Sequence, residues 1–67
     1  MNKIVGYRNM LGLTQVEIAK KLNISKQSYY LKEKGGVPFS DKEKIVFKEM
    51  LLPIFPNITI DEIFFSQ

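Results

Sequence analysis

The sequence predicts an all-α fold, and three observations carry that reading. Three capping boxes stand in 67 residues: Thr14-Gln15-Val16-Glu17, Ser40-Asp41-Lys42-Glu43 and Thr59-Ile60-Asp61-Glu62. In each, a hydroxyl can accept from a free backbone N–H while the Glu three residues on reaches back to the cap. Apolar side chains between the boxes recur at helical spacing. Gly, Asn and Pro stand where helices would stop. Ile58-Thr59-Ile60 could pass for a strand, but Pro56 and the third box argue against it.

In chain order, residues 3–11 read as a first helix, with Ile4, Tyr7 and Leu11 on one face and Arg8 beside them. Gly12 is its stop, because glycine tolerates the left-handed backbone that ends helices. Gly6 weakens the segment by about 1 kcal/mol relative to Ala. Thr14 opens a second helix running to Leu22, with Ile18, Ala19 and Leu22 inward and Lys20 and Lys21 off that face. Asn23-Ile24 is a short break, Asn being the next best residue after Gly at a left-handed position. Ser25 caps a third helix to about Lys34, ended by Gly35-Gly36 and Val37-Pro38. Ser40 starts a fourth helix to about Leu52, with Phe47, Met50, Leu51 and Ile54 as inner candidates and Pro53 and Pro56 bracketing its end. Thr59 starts a short fifth helix through Phe65. Phe64 and Phe65 are adjacent and cannot share one face, so one is expected in the core and the other semi-exposed.

Composition narrows the chemistry. A chain of 67 residues is expected to form one domain, residues 1–67, and to bury only about 60% of the surface its unfolded form exposes. It has no Cys, which excludes disulfides and thiolate zinc sites and fits a reducing cytoplasm. It has no His, so the commonest general base and neutral metal ligand are missing. With no paired carboxylates in a pocket-forming pattern either, an enzyme is not expected, and no cofactor or metal is called for. The first residues resemble no secretory signal, and no run approaches the roughly 20 apolar residues of a membrane span.

Charge is asymmetric. Residues 1–38 hold seven basic side chains (Lys3, Arg8, Lys20, Lys21, Lys26, Lys32, Lys34) against Glu17 and Glu33. Residues 39–67 hold three basic side chains against five acidic ones. A basic half suits an anionic partner, although an ordinary solvated surface would read the same.

The informative constellation is the pair of short helices around Asn23. A small residue, Ala19, stands where the two would cross. Ile18, Leu22, Ile24 and Tyr29 can lock them together. Ser25, Lys26, Gln27 and Tyr30 are left outward at the start of the second. Such a pair can lay its second helix in the major groove of DNA while the first crosses the backbone.

Residues 11–35, LGLTQVEIAKKLNISKQSYYLKEKG, resemble the helix-turn-helix of the phage repressor and Cro family, also called the xenobiotic-response-element type. The likeness rests on Gly12-Leu13-Thr14-Gln15, Glu17-Ile18-Ala19, Leu22, Ile24-Ser25, Glu33 and Gly35, and NITIDEIFF is similar to that family's last short helix. The resemblance implies a five-helix, lambda-repressor-like DNA-binding domain whose helix-turn-helix, residues 14–35, is formed by helices 2 and 3. It implies a phosphate contact for Gln15 and a backbone contact for Lys34. Lys26 and Gln27, with Ser25, Tyr30 and Leu31 beside them, become the base readers. Lys can donate to guanine, Gln can pair with adenine, and Leu can touch a thymine methyl. Arg8 and Glu33 fall where the family forms a semi-buried ion pair.

Three departures matter. Asn23 replaces the usual turn Gly. Lys32 stands where an apolar residue is common, so either its stem covers the core while the amine snorkels, or the helix is rotated and Leu31 moves inward. The loop after Gly35 has no basic residue before Lys42, leaving anchoring there to main-chain N–H groups at a helix N-terminus. The expected function is a cytoplasmic, sequence-specific regulator of transcription, of the short Cro kind or an accessory regulator on a mobile element. Its expected partner is an operator in double-stranded DNA, bound as a homodimer through the apolar stretch from Leu52 to Phe65, with no membrane and no small-molecule ligand. The alternative is a protein-interaction module that keeps the fold, such as an antitoxin or the partner of an anti-repressor.

Overall fold

The computed structural model describes residues 2–65. Five helices follow one another: α1 (Lys3–Met10), α2 (Gln15–Leu22), α3 (Lys26–Glu33), α4 (Asp41–Leu51) and α5 (Ile60–Phe64). Among the described residues there is no strand. Each boundary falls within a residue or two of the stop signals in the sequence.

All three capping boxes form, each with its hydroxyl accepting from the N3 amide and its Glu accepting from the cap amide. Ser25 Oγ accepts from the Ser28 amide and starts α3. Asn2 starts α1, its side-chain oxygen accepting from Ile4 N at 2.9 Å and Val5 N at 3.4 Å. Val5 stands at the third helical position, so no capping box marks this start in the sequence. Asn23 ends α2 with φ at 61°, the left-handed conformation that Asn tolerates better than most residues. That turn lets Ile24 N donate to Ala19 O and Asn23 N to Lys20 O, which satisfies two carbonyls at the helix end.

α2 and α3 pack closely. Ala19 is buried in α2, and its single methyl limits the bulk that this helix presents to its neighbours. Ile18, Leu22, Tyr29, Phe47, Leu51, Ile58 and Ile63 fill the core, with Ile4 and Phe39 at its margin. α5 closes the base by packing on both α1 and α4. An aromatic cluster binds the loop after α3 to that base. The Phe39 ring lies 6.2 Å from Tyr29, 6.2 Å from Phe47 and 5.3 Å from Phe64, and Phe47 lies 5.6 Å from Phe64. Tilted and edge-on pairs at these separations add about 0.5–1.5 kcal/mol each beyond the area they bury.

Two sequence expectations need correction. Ile54 is not an inner residue: it is 46% exposed, because α4 ends at Leu51 and the following turn carries Ile54 outward while Phe55 N reaches back to Leu51 O. The first helix stops at Met10 rather than residue 11, since Gly12 takes φ of 71° and Leu11 becomes the cap. Of the phenylalanine pair, Phe64 joins the aromatic cluster and Phe65 stays exposed.

Candidate nucleic-acid interface

α3 divides cleanly around its axis. Lys26, Gln27, Tyr30, Leu31 and Lys34 are all exposed, and their spacing of one and three to four residues puts them on one face. Ser25 is exposed at the N-terminal edge of that face, where its hydroxyl is used as the cap. Tyr29 and Glu33 are buried on the opposite side, and Lys32 is nearly so. The Lys34 ammonium sits 5.2 Å from the Tyr30 ring centre, so a cation and an aromatic ring share the C-terminal end of the outer face. Leu31 is 36% exposed, so the inward rotation that Lys32 had raised does not occur.

The buried side of α3 is held by a polar hub. Glu33, only 6% exposed, accepts from Arg8 Nε at 2.7 Å and Tyr29 Oη at 2.6 Å on Oε2, and from Gln15 Nε2 at 2.8 Å on Oε1. Asn2 Nδ2 donates to the Glu33 carbonyl at 2.6 Å, and an Arg8 guanidinium N–H donates to Leu13 O at 3.0 Å. One carboxylate thereby ties α1, α2 and α3 together. Burial alone would raise its pKa, but the donors from Arg8, Tyr29 and Gln15 outweigh it and hold Glu33 below the usual carboxylate range. The Tyr29 phenol is pushed well above its ordinary range, first by burial and then by its bond to Glu33.

The hub also decides how Gln15 presents itself. An ionised carboxylate only accepts, so Gln15 must turn its NH2 group toward Glu33. A single N–H of that amide is consumed. Gln15 is half-buried at the first position of α2, so its second N–H is the one donor its side chain has left for an outside anion.

Lys32 meets a fate the sequence did not reveal. Its Nζ lies 2.7 Å from Glu43 Oε1 and 2.8 Å from Oε2, with both side chains 12% exposed. Glu43 is the capping-box residue of α4, and Ser40 N donates to the same Oε1 at 3.0 Å. Desolvation opposes the charge, but Lys32 and the Ser40 amide keep the Glu43 carboxyl below its usual range. The amine therefore ends on a carboxylate instead of in solvent.

Away from α3, Lys20 and Lys21 are exposed at the end of α2. Lys44 Nζ lies 4.5 Å from the Phe65 ring centre and ties α4 to the end of α5, while Lys3 Nζ donates to Glu62 O at 3.0 Å and ties α1 to α5. Among the described residues no cluster of His, Cys, Asp and Glu could hold a metal ion, and no helix is long and apolar enough to cross a membrane.

Comparison with known proteins turns on one relative. The chain is 36% identical, over 66 residues, to an uncharacterized HTH-type transcriptional regulator of the archaeon Methanocaldococcus jannaschii. The match spans 98% of this chain and 92% of that protein. This chain belongs to the HTH-type transcriptional regulators. No family model matches it, and no solved structure does. The matched residues take in α1, α4 and α5 as well as the helix pair, so the sequence likeness spans the chain and is not confined to a short motif.

Proposed function

We propose that this protein is a sequence-specific regulator that binds double-stranded DNA by laying α3 in the major groove, with Lys26, Gln27, Tyr30 and Leu31 toward base edges and Ser25 at the entry. The observation that carries the reading is the division of α3: the residues with hydrogen-bonding or methyl-reading chemistry share its exposed face, and the residues that hold the helix share the other. Gln15 gives its second N–H to a phosphate and Lys34 its charge to the backbone, which orients the protein without reading sequence. Arg8 and Glu33 serve the fold rather than the DNA. A regulator of the Cro kind, belonging to a phage or another mobile element, accords with the resemblance of residues 11–35, and the chain works as one cytoplasmic domain without catalysis.

The active species is a homodimer. Tyr7, Met10, Ile54, Phe55, Pro56 and Ile58, together with Asn57 and Glu62, line a shallow, mostly apolar depression between α1 and the α4–α5 turn, with Met10 58% and Ile54 46% exposed. Burying two copies of it against each other removes that surface from water and pairs two reading helices for half-sites about one DNA turn apart. Sedimentation of wild type and Ile54→Lys tests this: the variant is expected to run as a monomer, and an unchanged dimer refutes the surface.

The DNA reading is tested by selecting binding sites from a random duplex library and following affinity against salt. Enrichment of one sequence and a steep linear fall of log K with log salt are expected, since each neutralised phosphate contributes a slope of about −0.9. No enrichment and a flat response would refute it.

A further inference from the structure

α3 packs closely on α2, yet it buries few apolar side chains of its own. Tyr29 is its single buried apolar side chain, and the other inward positions are Glu33 and Lys32. With one buried ring, much of the resistance to roll about the helix axis falls to polar contacts. Two polar clasps resist that roll from different directions. Glu33 is gripped by Arg8 and Gln15 from α1 and α2, and Lys32 is gripped by Glu43 from α4. Adjacent residues lie about 100° apart around a helix, so the two clasps pull along well-separated azimuths. The second clasp is stiff for a lysine. Its Nζ spans both Glu43 oxygens, and the Ser40 amide pins that carboxylate in turn.

We propose that the Lys32–Glu43 ion pair is a specificity-determining positioning device, fixing the roll of α3 and hence the set of side chains that faces the bases. The inference rests on the DNA-binding reading above for its functional consequence, but the roll itself is a property of the free protein. Semi-buried ion pairs contribute little net stability against a well-packed apolar pair, so orientation rather than stability is the gain. A roll well short of the roughly 100° between neighbouring residues already displaces Gln27 and Leu31 relative to the bases while Tyr29 stays buried.

The test uses Lys32→Met, Glu43→Gln and the double variant. Met preserves an unbranched apolar stem of similar length, and Gln at N3 preserves the capping box of α4. Two readouts are taken. In the free protein, amide NMR spectra of the double variant are expected to broaden or shift along α3 while α1 and α5 stay at wild-type positions, with cooperative unfolding retained. On DNA, the double variant is expected to lose about tenfold in discrimination between the selected site and variants at the bases read by Gln27 and Leu31, with an unchanged salt slope. A purely structural role would lower the melting temperature and weaken all sites alike. Wild-type α3 spectra together with unchanged discrimination overturn the proposal. If wild type selects no DNA sequence, the DNA-binding reading falls, and the NMR arm alone decides whether the pair fixes the roll.

Discussion

Removing one oxygen from Tyr29 isolates the polar hub from the packing around it. Tyr29→Phe keeps the buried ring and its 6.2 Å contact with Phe39 and deletes only the hydroxyl that donates to Glu33 at 2.6 Å. A hydrogen bond to a charged acceptor contributes about 1.5–3 kcal/mol. Glu33 Oε2 retains Arg8, so no acceptor is orphaned, and the expected cost lies toward the lower part of that range, about 2 kcal/mol. For a domain of this size each 1 kcal/mol shifts the melting temperature by roughly 4–8 °C, so a fall of about 8–16 °C is expected. Urea and thermal unfolding followed by circular dichroism measure it, with Tyr30→Phe as the control. Tyr30 is 45% exposed and its hydroxyl bonds nothing among the described residues, so that control should lie within about 0.5 kcal/mol of wild type. Equal, small effects for the two variants would refute the claim that Glu33 organises the three N-terminal helices.

Further outcomes follow from the same structure. Glu33 and Glu43 both titrate below the usual carboxylate range when folded, so their contribution is fully present above about pH 4.3 and disappears as pH falls through the folded values. Urea midpoints between pH 7 and 3 should drop steeply for wild type and less steeply for Glu33→Gln; parallel curves would contradict this. Asn23→Ala should cost about 1–2 kcal/mol, because its φ of 61° penalises a Cβ that lacks a local hydrogen bond, while Asn23→Gly should be near neutral. Equal stabilities for the two would count against that strain.

Local features of this fold were legible in the sequence, and non-local ones were not, apart from the Arg8–Glu33 pair that the family resemblance implies. Thr14, Ser40 and Thr59 announced three helix starts because a capping box is written within four residues. Asn23 announced the turn because few other residues take positive φ. Ser25, Lys26, Gln27 and Tyr30 follow as outward residues from spacing, whereas Leu31 and Lys34 enter only with the family resemblance. Asn2 escaped notice because Lys3, Ile4 and Val5 carry no Glu or Gln to complete a box. Phe39 reads as a loop residue, and only the meeting of Tyr29, Phe47 and Phe64 makes it core. Glu33 was legible as a partner of Arg8 through the family resemblance, but its bonds to Gln15, 18 residues away, and to Tyr29 depend on how α2 and α3 cross. Lys32 was legible as an anomaly. Its partner Glu43 reads as the capping-box residue of α4, and nothing in sequence signals that one carboxylate serves two donors.

The central claim is that the outer face of α3 reads bases, and Gln27 tests it most directly. It is exposed in the first turn of α3, and Ala at that position is a good helix former that touches nothing in the core. The measurement is the affinity of wild type and Gln27→Ala for the selected operator and for every single-base variant of it, at one fixed salt concentration. The account predicts that preference collapses at one position in each half-site, by about 1–3 kcal/mol, while discrimination elsewhere and thermal stability are retained. An identical discrimination profile for the two proteins would contradict it.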